Sequence, residues 1–365
     1  MKRKCVCCLF GGKSTEYEVS LMSCSCVLEQ IDRSRWDVLL VGITRQGLFY
    51  LYDGEISSIR SDTWQNDSAH LRRAVFAPEQ SGGCLYTVDA SGICLKRHTV
   101  DVILPMVHGA YCEDGRLQGY LDLCGIPYVG AGCGASAVCM DKVYTKRILQ
   151  SCGVRQASYA VLTAAQVHRD LIQAVAFAKR VGVYPLFVKP ANAGSSIGIS
   201  KAKNDKELAQ ALQTAIKFDS KLLVEEAIVG KEVEVAVLDG TPPYAATPGE
   251  IVPGAEFYDY MDKYQNGKSQ TLIPARVSAR SIERLRERAV YIFGQLGCRG
   301  LARVDFFVSG TEEAEEIIFN EINTLPGFTS ISMYPKMLMH DGHSYAGLID
   351  TLLEQAITQN EREQG

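Results

Sequence analysis

Apolar residues fall into short continuous runs and helically spaced stretches that alternate along the first 130 residues. Residues 4–10 form a nearly continuous apolar run that ends at Gly11-Gly12, which is typical of a strand buried on both faces. The next segment predicts a helix, because Thr15 and Glu18 have capping-box spacing and apolar positions recur at helical intervals beyond them. Further predicted elements are strands at 37–43, 48–52 and 100–107 and a helix at 117–123. This order predicts an α/β domain with a largely parallel sheet.

The same alternation continues through the rest of the chain and predicts two more domains. The predicted elements are a helix at 140–152, a strand at 159–162, a helix at 164–181, strands at 185–189 and 222–225, and a helix at 279–296. We place the domains at residues 1–130, 131–225 and 226–365. A polar, aromatic-rich loop at 250–272 is typical of an active-site lid.

Composition and charge describe a soluble globular protein and exclude several classes. With 365 residues, the chain is too long for one ordinary core. Its formal net charge of −4 gives no electrostatic footprint for nucleic acid or an anionic membrane. No run approaches the roughly 18 apolar residues of a membrane span, and the first residues do not resemble a signal peptide. The thirteen cysteines show no paired C-x-x-C spacing. We expect a cytoplasmic protein with reduced cysteines and neither a nucleic-acid nor a membrane partner.

The stretch from residue 303 to 323, RVDFFVSGTEEAEEIIFNEIN, carries the strongest chemical signal. Residues two apart on a strand share a face, so Glu321 and Asn323 could direct two oxygen ligands at one ion. Asp305 could add a third ligand from the neighbouring strand, and such hard oxygen ligands suit Mg²⁺. The alternative is the solvated face of a hairpin. Arg303 beside the acids and the turn LPGFTS after them favour a nucleotide-phosphate site.

Two further segments indicate nucleotide binding, and each has a structural alternative. KPANAGSSIGIS follows a strand with small residues whose N–H groups can approach phosphate oxygens, and Lys189 adds positive charge. It lacks the residue order of a P-loop, and it could also be a glycine-rich hairpin without function. In VEEAIVGKEVEV, Glu225 and Glu232 could accept ribose hydroxyls or lie on a solvated strand pair. GAGCGAS does not match G-x-G-x-x-G because residue 135 is alanine, which excludes a Rossmann dinucleotide site.

Taken together and in order, the motifs resemble the D-alanine–D-alanine ligase family of the ATP-grasp superfamily over essentially the whole chain. They are FGGKSTEYEVSL, HGAYCEDGRLQG, MDK, KPANAGSSIG, EFYDYMDKY, RVDFF and NEINTLPGFTSISMYP. The resemblance implies a three-domain ligase of the α/β class, with a Rossmann-like parallel-sheet domain first and an α+β ATP-grasp part after it. It also implies an ADP-forming reaction through a D-alanyl phosphate, and a homodimer.

The resemblance assigns nucleotide and metal contacts to particular residues. The implied ATP contacts are Lys142 and Lys189 at the phosphates, Glu225 at the adenine amine, Glu232 at the ribose, and Ser196, Glu226 and Ile228 around them. The implied ligands of two Mg²⁺ or Mn²⁺ ions are Asp305, Glu321 and Asn323. ATP and divalent cations are therefore the expected cofactors.

The amino-acid subsites follow from the same resemblance. The implied contacts are Glu16 with the ammonium of the first D-alanine, His108 beside that subsite, Lys263 and Ser332 with the second carboxylate, and Met333 in the second pocket. Ser195, Glu16 and Tyr264 are implied to form a hydrogen-bonded set that joins the N-terminal domain, the phosphate loop and the lid. Arg303 and the N–H of Gly327 are implied to stabilise the tetrahedral oxyanion.

D-alanine is the predicted second substrate. Tyr264 stands where family members that make D-alanyl-D-lactate carry histidine, and Ile331-Ser332-Met333 resembles the ordinary dialanine pattern. The alternative is a D-alanine–D-serine ligase linked to glycopeptide resistance, because such members are similar to this chain in FGGKSTEYEVSL and VGITRQG. Ala193, which replaces a larger residue of some housekeeping members, leaves that alternative open.

Two other classes of function remain as alternatives. The chain could be an ATP-binding regulatory protein that has lost its chemistry, which would predict damage to the implied catalytic set. The residues of that set are intact: Glu16, Ser195, Arg303, Glu321 and Asn323. It could also be a ligase that joins other amino acids, which the HGAYCEDG and lid motifs disfavour because those segments build the substrate pocket.

Overall fold

Three β-sheets organise the part of the chain that the structure describes. The structure is a computed structural model, and it describes residues 3–79, 83–194, 197–252 and 270–364. Among these residues, no helix is both long and apolar enough to cross a membrane. The helices and strands alternate as the sequence predicts, so the α/β fold class is confirmed.

A seven-stranded sheet forms the N-terminal part of the chain. Its elements are β1 (Lys4–Gly11), α1 (Tyr17–Gln30), β2 (Trp36–Ile43), β3 (Phe49–Tyr52), α2 (Ile56–Arg60), β4 (Leu71–Ala77), β5 (Cys84–Val88), β6 (Cys94–Thr99), β7 (Val102–Pro105) and α3 (Arg116–Cys124). The strand order is β6-β5-β4-β3-β2-β1-β7. β1 runs parallel to both of its neighbours, whereas β2 to β6 pair antiparallel. The sheet is therefore mixed rather than largely parallel.

The start of α1 differs from the prediction. The capping box is wrong: the helix begins at Tyr17 after Glu16, whose side chain makes no capping hydrogen bond. The hydroxyl of Ser14 instead accepts a hydrogen bond from the Glu16 N–H at 3.1 Å and donates to the His108 carbonyl at 2.5 Å. Burial of this turn against residue 108 overrides the local capping signal, and the Glu16 side chain is itself buried.

A four-stranded sheet follows, with helices packed on it. Its elements are α4 (Cys133–Met140), α5 (Lys142–Ser151), β8 (Tyr159–Thr163), α6 (Ala164–Arg169), α7 (Leu171–Ala178), β9 (Leu186–Pro190), β10 (Ser200–Ala202), α8 (Asp205–Ala215) and β11 (Lys221–Glu226). The order is β10-β9-β11-β8, and every pair is antiparallel. The predicted helix at 164–181 is broken, because Asp170 is extended (φ −156°, ψ 96°) and its carboxylate caps α7 at the Gln173 N–H.

A third, antiparallel sheet carries the C-terminal part. Its elements are β12 (Lys231–Leu238), β13 (Tyr244–Ala245), β14 (Gly249–Val252), β15 (Gln270–Leu272), α9 (Ala279–Gln295), β16 (Leu301–Ser309), β17 (Glu316–Asn323), α10 (Met333–His340) and α11 (Tyr345–Gln364). The order is β15-β14-β12-β16-β17, and β13 pairs with β12. The predicted pairing within the acidic stretch is confirmed, since β16 and β17 are antiparallel. The domain boundaries after residues 130 and 225 stay a prediction.

One apolar core joins the first and third sheets. It contains Phe10 of β1 and Leu21 of α1, and it continues through Leu325 and Phe328 into α10 and α11. Two hydrogen bonds reinforce this junction: the His108 ring contacts the Leu325 carbonyl at 3.0 Å, and the Phe328 N–H donates to the Ser23 hydroxyl at 3.4 Å. The turn after β17 is thereby held against the end of the N-terminal sheet.

We predict that Gly42→Ala destabilises the N-terminal sheet. A Cβ at Gly42 would lie 2.4 Å from ring carbons of the buried Trp64, and overpacking of this kind costs about 1–3 kcal/mol. Both tryptophans of the chain, Trp36 and Trp64, lie in this sheet region, so tryptophan fluorescence in a urea titration reports its unfolding. The midpoint should fall.

The matched control is Gly294→Ala, in α9. Nothing lies within 4 Å of a Cβ at that position, and alanine is favoured over glycine in a helix by about 0.5–1 kcal/mol. It should not lower the fluorescence midpoint. An unchanged midpoint for Gly42→Ala would contradict the packing described for β2.

Candidate active site

A cavity lies where the three sheets meet. The N-terminal part contributes Glu16 and His108, the middle part contributes Lys142, and the C-terminal part contributes Arg303 and Glu321. The other lining residues are Val19, Glu113, Cys139, Met140, Ala193, Gly194, Glu234, Thr271, Ile322, Asn323, Thr324, Gly327, Ile331, Ser332 and Met333. Residues predicted from four distant stretches of sequence are thus brought together around one space.

The register of β16 and β17 arranges the charged residues of the acidic stretch. Arg303 lies opposite Asn323, and Asp305 lies opposite Glu321. The Arg303 guanidinium donates two hydrogen bonds to Asp305, at 2.8 and 2.7 Å, which is the bidentate geometry that arginine favours. Asp305 is only 2% exposed, so this pairing also satisfies a buried carboxylate.

A second carboxylate, Glu234, flanks the same arginine. It lies 3.2 Å from the Arg303 Nε and is paired with Asp305 in the β12–β16 register. Burial alone would lower the pKa of Arg303, but Asp305 and Glu234 raise it well above its ordinary value. Glu234 was not among the residues predicted from the sequence. Its spacing of two residues from Glu232 on one strand was the available signal.

The acidic stretch offers oxygen donors for a cation. Asp305 and Glu321 provide carboxylates, and Asn323 provides an amide oxygen that also accepts the Leu325 N–H at 3.2 Å. Hard oxygen donors from two facing strands suit Mg²⁺ or Mn²⁺, whose remaining ligands are commonly water and phosphate. Among the described residues, no group of three or more His, Cys, Asp or Glu side chains is arranged to hold a metal ion. The proposed cation ligands are therefore two carboxylates, Asp305 and Glu321, together with the amide oxygen of Asn323.

Two predicted phosphate lysines lie next to the loop that follows β9. Lys142, the first residue of α5, donates to the Ala193 carbonyl at 2.8 Å and lies 3.6 Å from Glu321. Lys189, in β9, pairs with Glu225 at 2.7 Å. Both ammonium groups are held by acceptors that leave further donor positions available, since each lysine has three N–H bonds.

Glu225 lies between two lysines rather than at an isolated strand end. One of its oxygens is 2.7 Å from Lys189, and the other is 2.5 Å from Lys146, which the sequence analysis did not single out. Burial would raise the pKa of Glu225, but the two lysines lower it to about 2. Burial would lower the pKa of Lys189, and Glu225 raises it. The carboxylate and the ammonium are both charged at neutral pH.

Two glycines shape the surroundings of Glu16. A Cβ at Gly109 or at Gly194 would lie 2.4 or 2.5 Å from a carboxylate oxygen of Glu16. The backbones of the turn after β7 and of the phosphate loop therefore approach this carboxylate more closely than any other residue would permit. Glu16 is 9% exposed and lines the cavity, as expected for a group that receives a small cation.

His108 is a buried ring held from both sides. Its Nε2 is 3.1 Å from the Ser23 hydroxyl, its Nδ1 is 3.0 Å from the Leu325 carbonyl, and Glu113 lies 3.9 Å away. Burial would lower the pKa of His108, but Glu113 and Glu16 raise it. The ring lines the cavity beside Glu16, as predicted, and it also joins the N-terminal sheet to the turn after β17.

The turn after β17 brings the remaining predicted groups to the cavity. Gly327 packs closely on Ser332, since a Cβ there would lie 2.8 Å from the Ser332 hydroxyl oxygen. That oxygen accepts the Thr329 N–H at 3.0 Å. Met333 lines the cavity but is 5% exposed, because its terminal methyl packs where Gly249 has no side chain.

The remaining predicted residues lie at the end of β11, around the start of β12, or outside the part of the chain that the structure describes. Glu226 ends β11, where its carboxylate accepts the Ser158 N–H at 2.7 Å, and Ile228 and Glu232 lie half-buried around the start of β12. Glu232 also helps to raise the pKa of Lys189, after Glu225 and Glu321. The predicted residues outside the described part of the chain are Ser195, Ser196, Lys263 and Tyr264, together with most of the predicted lid.

Comparison with known proteins gives matches over nearly the whole chain. The family models for the D-ala D-ala ligase N-terminus and C-terminus match residues 5–131 and 148–354. The chain is 46% identical to the D-alanine–D-alanine ligase of Clostridium novyi, over 99% of this chain and 100% of that protein. It is 43% identical to the enzyme of the same name from Clostridium acetobutylicum, over 99% of both proteins.

Solved structures agree with this assignment. The VanG D-Ala:D-Ser ligase from Enterococcus faecalis is 38% identical, with a TM-score of 0.83 over 97% of this chain and 100% of that chain. The D-alanine–D-alanine ligase from Coxiella burnetii is 32% identical, with a TM-score of 0.85 over 100% of this chain and 97% of that chain. The two family models cover most of the sequence, including every described residue that we place around the cavity except the segment of α4 and Lys142 between them. The chain belongs to the D-alanine–D-alanine ligase family.

Proposed function

We propose that this chain joins two D-alanine molecules into D-alanyl-D-alanine at the expense of ATP, through a D-alanyl phosphate. The observation that carries the proposal is that Glu16, Lys142, Arg303 and Glu321, from three parts of the chain, line one cavity. The full-length relatives that bear the dialanine ligase name support it. The product is a building block of peptidoglycan, so the role is in cell-wall synthesis.

ATP and divalent cations are expected at the middle and third sheets. Lys142 and Lys189 are positioned to bind phosphate oxygens, and Glu225, Glu226, Ile228 and Glu232 are the proposed contacts of adenine and ribose. Two Mg²⁺ or Mn²⁺ ions would supply charge stabilisation of the transferring phosphoryl group. Asp305, Glu321 and Asn323 would hold them. Asp305 now gives both oxygens to Arg303, so binding a cation would release part of that guanidinium.

The first D-alanine is proposed to bind with its ammonium at Glu16. Its carboxylate oxygen attacks the γ-phosphorus of ATP, ADP leaves, and an acyl phosphate forms. The amine of the second D-alanine, after losing a proton, then attacks the acyl carbon, and phosphate leaves. Arg303 and the Gly327 N–H are the proposed donors to the oxyanion of that second step, and removing one such donor typically costs about 10²–10³ in rate.

Water must be kept from the acyl phosphate, and the predicted lid would do this. Ser195, Glu16 and Tyr264 would link the phosphate loop, the N-terminal sheet and the lid, and Lys263 would bind the second carboxylate. Only Glu16 of these lies in the described part of the chain. By resemblance, the proposed enzyme is a cytoplasmic homodimer that binds neither nucleic acid nor membrane.

The second substrate is proposed to be D-alanine, with D-serine as the other candidate. Met333 gives the second pocket an apolar wall beside Ser332, which fits a methyl side chain. The likeness to the VanG D-Ala:D-Ser ligase keeps the resistance-associated function as the second candidate. The two clostridial relatives named for dialanine synthesis are 46% and 43% identical to this chain, above the 38% of the VanG ligase, and they favour the first.

We predict that Glu321→Gln lowers kcat by at least about 100-fold without unfolding the protein, because the charge that offsets the phosphoryl charge through a cation is lost. The measurement is Mg²⁺-dependent ADP release with D-alanine, alongside a circular dichroism spectrum. Glu316→Gln, on the same strand but with a side chain 61% exposed, is the matched control and should keep its activity. Near-normal dipeptide synthesis by Glu321→Gln would contradict the proposed metal site.

We predict that D-alanine outcompetes D-serine at equal concentration. An apolar pocket rejects an added hydroxyl only weakly, by about 10²-fold, so some D-alanyl-D-serine should form when D-serine is in large excess. Isotopically distinguished amino acids and mass spectrometry of the dipeptides measure the ratio.

Met333→Ala should raise the D-serine share, because it opens space beside Ser332. Met339→Ala, at a position that is 48% exposed on the same helix, is the control and should leave the ratio unchanged. If the wild-type enzyme, given D-alanine and D-serine at equal concentration, makes mainly D-alanyl-D-serine, then D-alanine–D-serine ligation is its function instead.

A further inference from the structure

Lys146 is a buried lysine for which the proposed reaction has no use. It lies one helical turn after Lys142 on α5 and is 2% exposed. Its ammonium is 2.5 Å from Glu225, and it lies 5.6 Å from the centroid of the Tyr159 ring. Lysine is almost never fully buried unless it is paired, so the ion pair with Glu225 explains how the residue is tolerated. The ion pair alone does not explain why a lysine is buried at this position.

Glu225 is shared between Lys146 and Lys189, one oxygen to each. The three side chains carry two positive charges and one negative charge, which leaves one net positive charge. If Lys146 were absent, Glu225 and Lys189 would form a neutral pair, and the phosphate-facing ammonium would be electrostatically cancelled at short range. The surplus positive charge of this trio therefore depends on Lys146, whose side chain is 2% exposed against 15% for Lys189.

The other groups around Lys189 do not replace this charge. Asn320 is a neutral acceptor at 3.5 Å. Glu321 and Glu232 are negative, and both stabilise the charged form of Lys189. In the proposed reaction these two acids face a cation and the ribose. The positive charge that offsets Glu225 beside Lys189 consequently comes from Lys146. Lys142 lies 3.6 Å from a different acid, Glu321.

We propose that Lys146 is a positioning residue for nucleotide binding. It occupies one oxygen of Glu225 and offsets its charge, so that Lys189 keeps a free positive charge for the polyphosphate. The proposal rests on the proposed ATP-dependent function. It assigns to Lys146 no contact with the nucleotide, since its ammonium is enclosed between α5, β8 and β11.

A purely structural role of Lys146 and an electrostatic role predict different results. A residue that only fills space would affect unfolding, and its effect on polyphosphate affinity would not depend on the charge of Glu225. An electrostatic role predicts that removing the Glu225 charge rescues the loss of Lys146. Removing both Lys146 and the charge of Glu225 leaves neither of those two charges buried without the other. Lys189 then still has the Asn320 oxygen at 3.5 Å, and Glu321 and Glu232 still raise its pKa.

The test is calorimetric titration with Mg-ATP and, separately, with tripolyphosphate, which lacks adenine and ribose. Lys146→Met should weaken tripolyphosphate binding by at least about tenfold. The variant loses one positive charge, and charges in the protein interior interact more strongly than charges in water. Lys146→Met combined with Glu225→Gln should bind tripolyphosphate within about threefold of wild type, since Gln keeps the shape of the side chain and tripolyphosphate has no adenine for residue 225 to contact. Lys146→Arg should bind like wild type.

Lys179→Met is the charge-matched control. That lysine lies in the same part of the chain, pairs with Asp205 at the surface, and has a side chain 43% exposed. It should leave both affinities unchanged. Lys146→Met should raise the KM for ATP by a larger factor than it lowers kcat, the rate at saturating ATP.

Two results would overturn the role of Lys146 while leaving the proposed function intact. One is wild-type affinity in a folded Lys146→Met protein. The other, which holds even if that single variant does not fold, is a tenfold or greater loss of tripolyphosphate affinity in the double variant. A wild-type protein that binds neither Mg-ATP nor tripolyphosphate would overturn the proposed function itself, and the role of Lys146 with it.

Discussion

The step in register between β16 and β17 is the constraint on which the candidate site depends. The pairing shifts at Phe306, which leaves Asn320 as an extra residue on β17. A one-residue insertion turns the following side chains to the opposite face of the sheet. Phe319 before the step and Ile322 after it therefore pack in the same core, while Glu321 lines the cavity. Without this shift, Phe319 and Ile322 would lie on opposite faces of β17. The strand could then not pack both residues in the core while placing Glu321 at the cavity.

Shared charges give the site its second constraint. Arg303 lies between Asp305 and Glu234, and Glu225 lies between two lysines, so each buried charge has partners of opposite sign. Such an arrangement avoids the large cost of an unpaired buried charge. It also means that a cation or a phosphate entering the cavity must replace some of these partners, which couples nucleotide binding to the orientation of the groups around it.

The sequence predicts what depends on local period and spacing. It identifies β16, β17 and the oxygen set around Glu321, because strand periodicity fixes their faces. It misses Glu234 and Lys146, since their significance arises from pairing with residues distant in the chain. It also misses β4 to β6, of which β6 is almost entirely exposed and so lacks an apolar run. The capping-box error at Thr15 has the same origin, because tertiary contacts of the turn outweigh the local signal.

The fate of one oxygen atom tests the phosphoryl-transfer role of this cavity most directly. The enzyme would be given D-alanine labelled with ¹⁸O in its carboxylate, unlabelled ATP and Mg²⁺, and the phosphate and nucleotide products would be analysed by mass spectrometry. One ¹⁸O should appear in each inorganic phosphate and the nucleotide product should be ADP, because the carboxylate oxygen that attacks phosphorus leaves with it. Phosphate without ¹⁸O, or label in AMP, would contradict the acyl phosphate route.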